Sequence, residues 1–140
     1  MQLRKILLAD DDAEDRSIIQ DAMELLNAGD VMQFADNGEE VLNFLEKNSG
    51  NLLSLCLIVL DLNMPKMNGT QTLSRLKENE QLKHIPVIIY STSINPLEKE
   101  KCLFLGAHSY ITKPVSFKES IETAQKFLEF CHSKAIASFI

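Results

Sequence analysis

The chain has 140 residues, a formal net charge of -6 and a pI near 5.0. That length suits one domain with a sizeable core. With 45% hydrophobic and 24% charged residues the composition is ordinary for a globular protein. No run of Lys or Arg could neutralise a phosphate backbone, which argues against direct nucleic-acid binding. The apolar run from Ile6 is stopped by Asp10, too early for a signal peptide, and no stretch is long enough to span a bilayer.

In chain order, residues 5–9 read as a buried strand ended by Asp10, Asp11 and Asp12. Residues 13–27 carry helical periodicity, with Ile18, Ala22 and Leu25 on one face and Ile19, Met23 and Leu26 beside it. Gly29 is expected to break that helix. Residues 31–35 form a more polar strand, and residues 39–47 a helix with Val41, Leu42, Phe44 and Leu45 inward. The run 55–60 is apolar throughout, as a strand buried on both faces should be. Asp61 follows at its carboxyl end, Pro65 stops the strand, and Asn68-Gly69 supplies backbone freedom for a turn. Residues 70–79 are a third helix and residues 87–90 a fourth strand ending at Ser91. Pro96 suits the first turn of a helix that Gly106-Ala107 ends. Residues 109–112 make a short fifth strand before Lys113-Pro114, a bond that tolerates the cis form. The final helix spans 117–132, with Phe117, Ile121, Ala124, Leu128 and Cys131 as its apolar stripe, and Phe130 off that stripe. The domain is expected over residues 1–132, with 133–140 a tail whose apolar Ile136, Phe139 and Ile140 could dock on this domain or on a second copy, which leaves a homodimer open.

Five strands alternating with five helices demand right-handed crossovers and a parallel sheet covered on both faces. The expected fold is flavodoxin-like α/β, a (βα)5 three-layer sandwich with strand order 2-1-3-4-5. In that order strands one and three are neighbours. Asp10, Asp11 and Asp61 then share one sheet edge, and Ser91 and Lys113 open onto it. Three cysteines, Cys56, Cys102 and Cys131, have no metal-ligand or CxxC spacing and read as buried reduced thiols of a cytosolic protein.

Carboxylates gathered at one edge repel each other, and a hard divalent cation relieves that. Magnesium fits, with Asp11 and Asp61 as direct ligands, the Asn63 backbone carbonyl as a third oxygen, and Asp10 acting through water. Asp12 and Asp15 read as caps and dipole partners of the first helix. Beside a bound cation Asp61 can attack a phosphoryl group. Lys113 suits one phosphate oxygen and the Ser91 hydroxyl another.

The segments Ile6-Leu7-Leu8-Ala9-Asp10-Asp11, Asp61-Leu62-Asn63-Met64-Pro65-Lys66-Met67-Asn68-Gly69, Pro86-Val87-Ile88-Ile89-Tyr90-Ser91 and Tyr110-Ile111-Thr112-Lys113-Pro114, in this order and spacing, resemble a response-regulator receiver domain through about residue 132. The resemblance implies that Asp61 accepts a phosphoryl group from a histidine kinase or phosphotransfer protein. It implies that Asp10 and Asp11 are the family's acidic pair, that Ser91 is its hydroxyl switch residue, and that Lys113 is its lysine. Tyr110 matches the aromatic switch position, whose ring turns inward when the hydroxyl moves to the phosphate. With no output domain apparent after the receiver, the signal is expected to leave through the face of helix four, strand five and helix five, toward a downstream protein in the cytoplasm. Two alternatives use the same residues. A phosphatase working through an aspartyl phosphate would want a general acid where Asn63 stands, and a substrate-enclosing cap. A phosphate-independent adaptor would have lost Asp61, Lys113 or the acidic pair. The chain is therefore expected not to be an enzyme beyond its own phosphorylation and dephosphorylation. A flavodoxin is disfavoured by the acidic triplet after strand one.

Overall fold

A computed structural model describes the backbone of residues 4–137 and the side chains through residue 132. Five parallel strands, β1 (Lys5–Ala9), β2 (Met32–Ala35), β3 (Leu55–Leu60), β4 (Val87–Ser91) and β5 (Ser109–Thr112), form one sheet in the order β2-β1-β3-β4-β5. The helices between and after them are α1 (Ala13–Leu25), α2 (Gly38–Lys47), α3 (Gly69–Glu78), α4 (Pro96–Phe104) and α5 (Phe117–Ala137). The strands run parallel, as the alternation of elements demands, and lie in the expected flavodoxin-like order.

Every residue of β3 is buried, which is why its sequence shows no polar alternation. Its alternate side chains divide the core in two. Ile58 and Leu60 join Leu7, Val41, Leu45, Leu73, Leu76 and Ile89 on one face of the sheet. Leu57 and Val59 join Ile6, Leu8, Ile19, Met23, Ile88 and Phe127 on the other. Because β1 and β3 are paired from Lys5↔Leu55 to Ala9↔Leu60, they end level, and Asp10 and Asp61 emerge side by side.

Several local expectations are corrected. The buried face of α1 is Ile19, Ala22 and Met23, rotated from the face expected, and Ile18 and Leu25 are exposed. A helix on the flank of a sheet needs only a narrow buried stripe, and two equally apolar stripes were available. Asn27, with φ 59, takes the left-handed position after α1, so the helix ends before Gly29. On α5 the buried line is Ser120, Thr123, Ala124, Phe127 and Cys131, whereas Phe117 is 47% exposed at the helix start. Phe127, fully buried, packs edge-on to Tyr90 with ring centroids 5.8 Å apart. The α5 backbone continues to Ala137, into the segment read as a tail, while the side chains of Ile136, Phe139 and Ile140 lie outside the described residues. No cis peptide occurs among the described residues, so Lys113-Pro114 is trans; the Lys113 N–H continues the sheet by donating to the Ser91 carbonyl at 2.8 Å.

Gly69 does not serve as a flexible turn residue. The left-handed residue of this loop is Lys66, with φ 64. Asn68 caps α3 through its side chain, and Gln71 returns the bond to the Asn68 N–H, a complete capping box. Gly69 is needed for space: a Cβ there would sit 2.3 Å from the Asp61 carbonyl oxygen. The start of α3 is thereby pressed against the end of β3.

Two cysteines are not free thiols. Cys56, on β3, is disulfide-bonded to Cys131, on α5, with Cα atoms 5.3 Å apart. Cys102 remains free and buried as expected. The pairing arises because α5 lies across β3, bringing together residues 75 positions apart in sequence. Closing a loop of that length restricts the unfolded chain strongly and is worth about 2–4 kcal/mol.

Two tests follow. Reduction should lower the melting temperature by about 10 °C, and a Cys56→Ser, Cys131→Ser double variant should melt at the reduced temperature with or without reductant. Gly69→Ala should cost about 1–3 kcal/mol through overpacking, measured by urea denaturation, because the intruding methyl group meets backbone rather than a flexible side chain.

Candidate functional site

The site lies at the carboxyl ends of β1, β3, β4 and β5, where a parallel sheet leaves its strand ends open to ligands. Asp10 is wholly buried, Asp61 nearly so, and Asp11 is exposed at the rim. One carboxylate oxygen from each of these three lies within 4.8 Å of the others. From β5, Lys113 reaches across with its side chain nine-tenths buried. Its ammonium is 2.8 Å from Asp10 Oδ2, 2.9 Å from Asp15 Oδ2 and 3.1 Å from Asp61 Oδ2. The Lys113 ammonium lies over the Tyr90 ring, with Nζ 5.6 Å from the centroid.

Burial pushes the Asp10 carboxyl pKa up, against the pull of the Lys113 ammonium and of the Asp12 N–H that donates to Asp10 Oδ1 at 2.9 Å. Burial acts on Lys113 in the opposite sense, favouring the neutral amine, but the contacts with Asp10 and Asp15 and the charge of Asp61 prevail and hold it protonated well above the ordinary lysine range. Asp10 Oδ2 is buried and receives no well-directed hydrogen bond, although the ammonium is near. An under-satisfied buried carboxylate oxygen within an all-oxygen cluster fits a hard divalent cation. Among the described residues, Asp10, Asp11 and Asp61 are therefore the acidic cluster able to hold a metal. Asn63 follows Asp61 by two residues, and its N–H donates to Asp61 Oδ1 at 3.3 Å.

Ser91, at the end of β4, is fully buried, and its hydroxyl oxygen accepts the Ser93 N–H at 3.2 Å. The Ser93 carbonyl accepts the Tyr110 hydroxyl at 2.9 Å. Ser93 Oγ also pairs with Glu98 on α4 and accepts the Asn95 N–H. Ser91, Ser93, Tyr110 and the start of α4 thus form one connected chain of polar contacts. Tyr110 is half-buried against the core.

Asp12 is the cap it was read to be, accepting the N–H groups of Glu14 and Asp15. Asp15 is not: its carboxylate is directed to Lys113. Asp15 stands in the acidic first turn of α1, where it still favours the helix dipole, and the ammonium reaches it from the residue after β5. Arg16 was also missed. It donates to the Asp10 carbonyl at 2.6 Å and pairs with Asp36 at 2.9 Å, fixing α1 to the ends of β1 and β2. Its position next to an acidic run was the available signal.

A folded-state pKa above the unfolded value means that ionising Asp10 costs stability. That cost is absent below the unfolded carboxyl pKa and grows as pH rises through the folded one. In EDTA at neutral pH, Asp10→Asn should therefore raise the melting temperature by a few degrees. The same variant should gain less from added divalent metal than the parent does, as read by melting with and without the ion.

The chain as a whole is similar to known proteins. The family model described as the response regulator receiver domain matches residues 6–125. The transcriptional regulatory protein CpxR of Escherichia coli strain K12 is 32% identical over 130 residues, covering 93% of this chain and 51% of CpxR, so the chain spans about half the length of that relative. The phosphorylated cyanobacterial phytochrome response regulator RcpA aligns with a TM-score of 0.82 at 30% identity, over 94% of this chain and 96% of that one. The Mn2+-bound form of response regulator Rcp1 aligns with a TM-score of 0.73 at 29% identity, over 88% of this chain and 90% of that one. The matched span takes in Asp10, Asp61, Ser91 and Lys113 together, and the chain belongs to the response regulator receiver domain family.

Proposed function

We propose that this chain is a response-regulator receiver whose Asp61 accepts a phosphoryl group from a histidine kinase or phosphotransfer protein. In this reading the reaction depends on magnesium and the signal leaves through the surface of α4, β5 and α5. The observation that carries the reading is the convergence on Asp61: a nearly buried carboxylate with Asp10 and Asp11 in ligand reach of it and the Lys113 ammonium 3.1 Å away. The phosphorylated RcpA and Mn2+-bound Rcp1 structures support it by likeness.

In the transfer, an Asp61 carboxylate oxygen attacks phosphorus. An Asp61 O–P bond forms as the donor's P–N bond breaks, and the electron pair returns to the donor imidazole nitrogen. Lys113 shifts its N–H from Asp61 to a phosphoryl oxygen. Asp11, Asp61 and the Asn63 carbonyl, with Asp10 through water, would hold magnesium, which when bound supplies positive charge against the incoming phosphoryl group. Asn63 stands where a phosphatase would keep a general acid, which favours a phosphoryl acceptor over a turnover enzyme.

In this reading the Ser91 side chain rotates toward the phosphoryl group to donate its hydroxyl, and that rotation takes its oxygen away from the Ser93 N–H it accepts. That loosens the Ser93 carbonyl that the Tyr110 hydroxyl engages, and Tyr110 is freed to turn inward. Helix α4 is the element able to respond, because Cys102 is its one buried residue while Leu97 is 73% and Phe104 is 89% exposed. Those apolar side chains suit a downstream protein partner. Across β5, Phe130 of α5 packs edge-on to His108, with centroids 4.7 Å apart. A phosphoryl acceptor must share the compartment of an ATP-fed kinase, so we place the protein in the cytoplasm, where the Cys56–Cys131 bond follows the local redox poise.

The test is incubation with acetyl phosphate and magnesium, followed by intact-mass measurement. A gain of one phosphoryl group in the parent, lost in EDTA and in Asp61→Asn, is the expected result. No gain in the parent, with no magnesium-dependent rise in melting temperature, would point instead to an adaptor that works without phosphate.

A further inference from the structure

Asp15 is the unexplained member of the site. Its Oδ2 lies 2.9 Å from Lys113 Nζ, yet it stands outside the Asp10, Asp11 and Asp61 cluster, and its side chain is 34% exposed. An ammonium has three N–H groups; here Lys113 donates to Asp15 and Asp61, and Asp10 Oδ2 pairs with it at 2.8 Å. Three ligand carboxylates would be balanced by a divalent cation together with the Lys113 ammonium. Asp15 is then a surplus negative charge at the mouth of the site. It lines, with Lys113, Ile18, Pro114, Val115 and Phe117, the cleft between α1 and the loop that follows β5.

We propose that Asp15 is a positioning residue with two linked effects: it tethers the Lys113 ammonium, and its surplus charge slows phosphorylation of Asp61 by donors in proportion to their negative charge. This rests on the phosphoryl-acceptor reading. A phosphoryl donor carrying two negative charges must approach Lys113 past the Asp15 carboxylate, whereas a donor that brings a compensating positive charge is repelled less. Asp15 therefore discriminates against small, doubly anionic phosphodonors. The Asp10 and Asp61 contacts cannot do this, because those carboxylates are neutralised as part of the ligand set.

The experiment measures second-order rate constants for phosphorylation of the parent, Asp15→Asn and Asp15→Glu, by intact mass, with acetyl phosphate (a dianion) and with phosphoramidate (a monoanion overall). Asp15→Asn should react about five-fold faster with acetyl phosphate, the size expected of one charge several ångströms away in a partly screened site, and less than about two-fold faster with phosphoramidate. The gain should shrink when ionic strength is raised, and Asp15→Glu should restore the parent's rates. A second readout does not use the reaction. The magnesium concentration giving half of the melting shift should rise about two-fold in Asp15→Asn, since a nearby negative charge has been removed, and should be unchanged in Asp15→Glu. Equal rates for all three proteins, an equal change with both donors, or an insensitivity of the gain to salt would overturn the proposal. Failure of the parent itself to take up a phosphoryl group would instead overturn the acceptor reading beneath it.

Discussion

One ammonium organises the functional end of this protein. Lys113 sits among Asp10, Asp15 and Asp61 with its side chain nearly buried, and each contact is shorter than 3.2 Å. Without that positive charge, carboxylates from β1 and β3 would meet at a sheet edge where neither can reach enough water. The charge arrives because β5 is an edge strand two places from β3, and its carboxyl end opens toward the same crevice. The ammonium lies over the Tyr90 ring, and Tyr90 packs edge-on to Phe127, so the position of the ammonium is tied to the packing of α5. Such a buried pair need not add net stability. Its consequence is a cation held ready for an anion.

The rest of the fold can be read as keeping that arrangement in register. The level pairing of β1 with β3 sets Asp10 beside Asp61. Arg16 holds the carbonyl of Asp10, Asn68 starts α3 at a defined point, and the missing Cβ of Gly69 lets α3 abut the carbonyl of Asp61. The Cys56–Cys131 bond ties β3 to α5 at the end of the strand away from Asp61. The opposite flank is loosely held. Helix α4 buries one residue and connects to the site through Ser93, which links Ser91, Tyr110 and Glu98. Rigidity beneath Asp61 and looseness beside it are what the proposed chemical switch requires, since a few kcal/mol must be enough to choose between two packings.

Much of this was legible in the chain itself. An apolar run with no alternation means a strand covered on both faces, and alternation of five strands with five helices leaves few topologies, of which the flavodoxin-like order is the natural one at this length; that order brings Asp10, Asp11 and Asp61 together with Lys113. Those inferences hold because hydrophobic periodicity and crossover handedness are local or nearly local rules. The capping role of Asp12 was likewise local, a matter of a side chain and the N–H groups just after it.

What only the tertiary structure decided were choices between locally equivalent options. Ile18 and Ile19 are equally apolar, and the sheet decided which of them is buried. Asp12 and Asp15 are both acidic residues at the start of α1, and only the arrival of Lys113 from β5 gave Asp15 a different partner. Cys56 and Cys131 carry no spacing signal, because a disulfide depends on the distance between two Cα atoms in space and not along the chain. Gly69 looked like a turn residue until the carbonyl of Asp61 was found where its side chain would have been. The sequence by itself determined the sheet, its order and the residues gathered at its open edge; packing across 50 to 100 positions of chain determined which helix faces, which carboxylate and which cysteines would meet, because contact at that range depends on how whole elements are set against one another.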